Sequence, residues 1–238
     1  MKDVITLDQA QPEVQRKFMA GVYLRMVFAL ALTAATAYFI AYEVIPNPSG
    51  NPYFTYFRTY AMQILIGAAV VELAIVIGLS YGIRKLSPAA AMFLFILYSI
   101  TTGITFSFIF YIYSLGSIFK VFICAALMFL GMSIYGMFTK ADLRSAGRYL
   151  IMGLIGLVIA ALMNMLFRSS TLDWIISIVG VGIFVGLTAY DTQKLMTIGI
   201  YNDGSEKFQK YAIVGALELY LDFINIFLKL LRLFGKRR

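Results

Sequence analysis

Apolar residues fall into seven long blocks along this chain, separated by short polar or Pro/Gly-rich intervals. The blocks run Gly21–Tyr42, Thr59–Ile83, Ala89–Tyr113, Ser117–Phe138, Tyr149–Phe167, Asp173–Met196 and Tyr211–Phe234. Each is long enough for a helix to cross a bilayer, which takes about 20 residues. Pro46, Pro48, Gly50 and Pro52 mark a loop after the first block and forbid a helix there. Ser87-Pro88 is a helix-start signal for the third. Asn202-Asp203-Gly204 reads as a turn before the last. Small residues at Gly153, Gly156, Ala160 and Ala161, and at Gly182 and Gly186, predict close helix packing. Gly180-x-Gly182 is no nucleotide fingerprint, because no strand–turn–helix unit surrounds it.

The last block differs from the others. Glu218, Asp222, Asn225, Lys229 and Arg232 recur at spacings of four and three, so they share one face of a helix. Such a helix either lies on a surface or is buried with its polar stripe toward an interior cavity. The remaining six blocks argue for the second alternative.

Composition agrees with the pattern. The chain has 238 residues, 61% of them hydrophobic and 13% charged, where a soluble domain is nearer one quarter charged. The expected fold is an all-α polytopic membrane bundle. Residues 1–19 form a polar tail and residues 20–238 a single transmembrane domain, leaving no room for a soluble catalytic domain. Acidic residues in the tail argue against a cleaved signal peptide.

Charge sets an orientation. With the N-terminus cytoplasmic, the inner segments carry twelve basic residues, while the first three outer segments carry Arg58, Lys120 and Arg168. The net charge of +8 is thereby explained by basic loops facing inward rather than by nucleic acid. The final segment breaks the alternation, since seven full spans put Lys236, Arg237 and Arg238 outside. The last helix therefore either spans or turns back as a re-entrant segment, and its length favours spanning.

The chain has no histidine, which removes Ser-His and Cys-His catalysis and most zinc sites. Its single cysteine, Cys124, reads as a buried small hydrophobe. Neither an enzyme nor a resident cofactor is expected. What stands out instead is acid within the membrane: Glu72 in the second span, Asp191 in the sixth, Glu218 and Asp222 in the seventh. Each costs at least about 2.5 kcal/mol at a helix centre on insertion scales, so such groups face a bundle interior or water. Glu72 alone reads as a hydrogen-bonded buried acid, and Asn164 and Asn225 as helix–helix hydrogen bonds. Asp191 lies near the inner end of its span, where it could instead cap that end or snorkel to the interface, and Asp222 lies about mid-depth; two or three such acids crowded in a low-dielectric site titrate as one coupled set. Deprotonated, they make a hard oxygen site for Ca2+. Arg84, at the inner end of the second span, could contact an acid as a latch released on protonation, or serve as a plain interfacial anchor.

The segments Tyr190-Asp191-Thr192-Gln193 and Leu219-Tyr220-Leu221-Asp222-Phe223-Ile224-Asn225 resemble the signature of the Bax inhibitor-1 family, in its bacterial branch. Lys85-Leu86-Ser87-Pro88, Thr139-Lys140-Ala141-Asp142-Leu143 and Asn164 extend the resemblance over most of the chain. The resemblance implies seven helices with the last central in the bundle. It implies a pH-sensing, Ca2+-gating pair at Asp191 and Asp222, both possible Ca2+ ligands, with Arg84 as the latch in the closed state. Glu218, Asn225 and Glu72 are candidates for the ion pathway. The partners implied are the lipid bilayer, Ca2+ and protons, in a bacterial inner membrane. Two other readings compete. One is a non-conducting regulator of a membrane-bound AAA-type protease or of cell death. The other is an intramembrane aspartyl protease, disfavoured because Leu219-Tyr220-Leu221 precedes Asp222 where a Gly-x-Gly turn is needed and no Pro-Ala-Leu segment follows.

Overall fold

The computed structural model describes residues 7–44 and 52–237. The chain is helical nearly throughout: α1 (Leu7–Phe39) ending in a π-helical turn (Ile40–Val44), α2 (Pro52–Gly82), α3 (Pro88–Ser107), the one-turn α4 (Ile109–Ile112), α5 (Leu115–Phe138), α6 (Arg144–Phe167), α7 (Ser170–Ile200) and α8 (Glu206–Phe234). Among the described residues seven helical segments are long and apolar enough to cross a membrane. This is a multi-pass membrane protein. The seven expected spans are all present, with longer helices than the apolar blocks alone indicate.

The differences have local causes. Pro52, expected in a loop, opens α2, where its missing N–H costs nothing. Pro46, Pro48 and Gly50 lie outside the described residues. The third span breaks at Phe108. The Ser107 hydroxyl bonds back into the ladder there, to the Ile104 carbonyl at 2.7 Å, which loosens a helix end. α1 starts in the polar tail. Gln15 Nε2 there donates to the Met196 carbonyl at 2.8 Å, and Phe18 packs at Gly199, so the tail is docked on the end of α7. Ser87 caps α3 as expected, accepting from the Ala90 N–H at 3.2 Å. Gly204 takes φ +76° in the turn before α8, a conformation that favours glycine. Cys124 is exposed rather than buried. The buried face of α5 runs through Val121, Ala125, Phe129, Ser133 and Gly136, and Cys124 sits just off it.

The chain divides into two compact units. One holds residues 7–19, α5, α6, α7 and the half of α8 from Glu218. The other holds α1 from Ala20, α2, α3, α4 and the first half of α8. In the second unit Thr33 Oγ1 donates to the Ser99 carbonyl at 2.9 Å, and Gly103 lies against Thr33 and Thr36, so α1 and α3 touch at backbone distance. Glu72 accepts from Thr105 Oγ1 at 3.0 Å, the hydrogen-bonded state expected of a lone intramembrane acid.

α8 is continuous over 29 residues, about 43 Å, with no reversal. A re-entrant hairpin within it is thereby excluded. It is also the most buried of the candidate spans, 67% of its most apolar window against 6% for α6. Leu217, Leu219, Tyr220, Ile226 and Leu231 are fully or nearly fully enclosed. An amphipathic helix lying on a surface would leave its apolar face on one side only; burial of this extent favours the interior alternative.

Candidate functional site

The first unit brings α7 and α8 together antiparallel. Arg232 Nη1 donates to Asp173 Oδ1 at one end of the pair. Lys229 lays its stem over Gly180 further in. Lys194 Nζ donates to Glu218 Oε1 at 2.7 Å near the other end. This register sets Asp191 level with the turn of α8 that carries Glu218 and Asp222. Lys194, one turn after Asp191, also lies 3.6 Å from Asp191 Oδ1. One ammonium group thus bridges acids on two helices.

Burial grades the four groups. Asp222 is 4% exposed and Asp191 9%. Glu218 and Lys194 are half-buried. The charges of Asp191, Glu218 and Lys194 all act on Asp222. Asp222 Oδ2 has no hydrogen-bond partner among the described residues, and neither has Ser133 Oγ on the buried face of α5. Unsatisfied buried oxygens of this kind mark strain, an ordered water or an ion. Phe223, beside Asp222, stacks edge-on with Phe122 and Phe129 of α5, which walls that side with aromatic carbon. Among the described residues no three acids converge closely enough to hold a metal ion.

The residues around Asp191 each have a separate contact. Tyr190 packs its ring on Gly147 of α6, where a Cβ would collide with it. Thr192 is fully buried against Gly136 of α5. Gln193 clamps the α5–α6 loop, accepting from the Leu143 N–H at 2.9 Å and donating to the Ala141 carbonyl at 2.8 Å. That loop, with Tyr190, Gln193, Lys194 and Thr197, lines a cavity of about 490 Å³. Its charged rim is Lys140, Asp142 and Arg144. The Arg144 guanidinium, 3.0 and 3.1 Å from the two oxygens of Asp142, holds that exposed carboxyl below the usual carboxylate range. Lys194 therefore faces the acids on one side and an open cavity on the other.

Of the residues singled out from sequence, Asp191, Asp222 and Glu218 come together. Glu72 and Arg84 belong to the other unit. Arg84 is exposed, and its carbonyl accepts from Lys210 Nζ at 3.5 Å; its latch role rests on the resemblance alone. Among the described residues Asn225 makes no bond across helices: its Nδ2 donates to the Leu221 carbonyl of its own helix at 2.8 Å. Nor does Asn164, whose Oδ1 accepts from the Ser169 N–H at 3.0 Å and shapes the α6–α7 turn around Arg168 at φ 52°. Gly182 and Gly156 face open space, whereas Gly136, Gly147 and Gly186 meet neighbouring helices. The sequence places Lys194 only among the inward-facing basic residues and does not single it out as a site residue. Its position one turn from an intramembrane acid was the available signal.

The profile of the family described as "Inhibitor of apoptosis-promoting Bax1" matches residues 15–238. The chain belongs to the Bax inhibitor-1 family. Among its relatives, the inner membrane protein YbhL of Escherichia coli strain K12 is 46% identical over 225 residues, 93% of this chain and 92% of that one. A Borreliella burgdorferi protein described as uncharacterized is 43% identical over 239 residues, 99% of both chains. A Streptococcus pyogenes serotype M1 protein, described as an uncharacterized membrane protein, is 34% identical over 227 residues, 92% of this chain and 93% of that one.

Proposed function

We propose that this protein is a pH-sensitive Ca2+ leak pathway of a bacterial inner membrane, with Asp191 and Asp222 as the proton-sensing pair. The observation that carries the reading is the grouping of buried Asp191 and Asp222 with half-buried Glu218, with Lys194 in contact with Asp191 and Glu218. Clustered acids in a low-dielectric interior exchange charge for protons together, which is what a proton-controlled gate requires. Carboxylate oxygens are ligands that a hard divalent cation takes in passage, although among the described residues no three acids converge on one site. The location follows that of the Escherichia coli relative, an inner membrane protein. Protonating Asp191 removes one of the charges that Lys194 contacts, so acidification loosens that contact.

The test is Ca2+ entry into proteoliposomes across a pH series, for wild type, Asp191→Asn and Asp222→Asn. Each substitution keeps the side-chain volume and abolishes the titration, so each should flatten the pH response. Wild-type pH dependence in both variants would take the two aspartates out of the mechanism.

A further inference from the structure

The α5–α6 loop joins two candidate spans, so it lies at a membrane face. Four hydrogen bonds hold its shape. Thr139 Oγ1 accepts from the Ala141 N–H at 3.2 Å, Asp142 Oδ1 accepts from the Arg144 N–H at 3.0 Å, and Gln193 of α7 fixes Ala141 and Leu143. Asp142 also sets the Arg144 side chain, but it engages only Nε, at 3.0 and 3.1 Å. The two terminal nitrogens of that guanidinium have no partner among the described residues, and neither has the ammonium of Lys140. Both side chains border the cavity of about 490 Å³. The third cation there, Lys194, is engaged by Glu218 and Asp191 and adds no free charge. The one acid of the lining, Asp142, is spent on Arg144. The loop therefore presents an aimed fork of N–H donors and a second cation to a space with no free carboxylate. Such a combination matches a tetrahedral oxyanion, with parallel bonds from the fork and a point charge from the lysine.

We propose that this cavity binds a phosphate group between the Arg144 fork and the Lys140 ammonium. Depth favours the headgroup of an anionic phospholipid as its source over a soluble phosphate ester. Phe138 and Tyr149, 78% and 74% exposed, flank the loop, and aromatic rings so placed mark the headgroup level of a bilayer. Size points the same way. A space of about 490 Å³ is that of a small-ligand pocket, with room for the glycerol unit beside the phosphate. Basic pockets between helices at a membrane face take lipid headgroups by this chemistry. The assignment uses none of Asp191, Glu218 and Asp222, and it holds whether or not the protein conducts.

The experiment is native mass spectrometry of the delipidated full-length protein, released from detergent with phosphatidylglycerol, with phosphatidylcholine, or with glycerol phosphate as the soluble source of the same group. Wild type should bind its first phosphatidylglycerol at least about tenfold more tightly than its first phosphatidylcholine, the factor that one charge-assisted hydrogen bond supplies. Arg144→Gln and Lys140→Gln should each weaken that binding, and together they should abolish the preference. Both side chains are exposed, so neither substitution touches the core. Arg148→Gln deletes the same charge from the same helix outside the cavity and should bind as wild type does. A loss in Arg148→Gln as large as that in Arg144→Gln overturns the proposal, since it would report a diffuse basic surface rather than a site. Equal affinity for the two lipids with no binding of glycerol phosphate overturns it as well. Binding of glycerol phosphate that Arg144→Gln abolishes, with no preference between the lipids, would keep the phosphate site and make its source soluble.

Discussion

Gln193 holds the α5–α6 loop by both ends of its amide, taking the Leu143 N–H on its oxygen and giving a hydrogen to the Ala141 carbonyl. It follows Asp191 by two residues, so it points away from the acids while fixing the loop that lines the neighbouring cavity. Gln193→Ala removes two hydrogen bonds, each worth roughly 0.5–1.5 kcal/mol net. A thermal-unfolding measurement in detergent should show a loss of about 1–2 kcal/mol, and Gln193→Glu, which keeps only the acceptor, roughly half of it. The residues that matter at this scale were partly visible in the sequence. A carboxylate in an apolar helix costs enough to be noticed wherever it occurs, which is how Asp191, Glu218 and Asp222 were found. Lys194 and Gln193 were not, because a lysine or glutamine near a span end has an ordinary interfacial explanation. Only their partners, Glu218 on another helix and the backbone of a distant loop, show otherwise.

Between elements, α7 is the helix around which the first unit is packed. Its residues 189–192 sit against Gly136 of α5, and Tyr190 against Gly147 of α6. At Gly136 an added Cβ would run into the backbone of Ala189, which cannot rotate away as a side chain could. Gly136→Ala should therefore destabilise the protein by about 1–3 kcal/mol, read as a lowered unfolding midpoint in detergent. It should also displace the turn carrying Asp191. Wild-type stability would mean that α5 and α7 can separate without cost. The spans themselves were legible from apolar length. Their contacts were not: the glycine spacing drew attention to Gly182, which faces open space, and away from Gly136. A four-residue spacing identifies a helix face, but the neighbour that occupies the face is chosen by tertiary packing.

For the whole molecule, the amphipathic stripe of α8 was the informative feature. It left two placements open, and the burial of Leu219, Tyr220 and Ile226 on the rest of that helix favours the interior. The stripe then has to be matched from within, by Arg232 to Asp173, Lys229 at Gly180, and Glu218 to Lys194. Of the carboxylates on this stripe, Asp222 keeps one buried oxygen, Oδ2, without a hydrogen-bond partner among the described residues. The central claim is that protons and a divalent cation compete for these shared oxygens. Its most direct test is Ca2+ flux through the reconstituted wild-type protein, recorded as the pH is lowered stepwise. The account predicts a leak that rises on acidification as Lys194 loses its hold on Asp191. Liposomes that stay Ca2+-tight at every pH, with the protein shown to be inserted and folded, would contradict it.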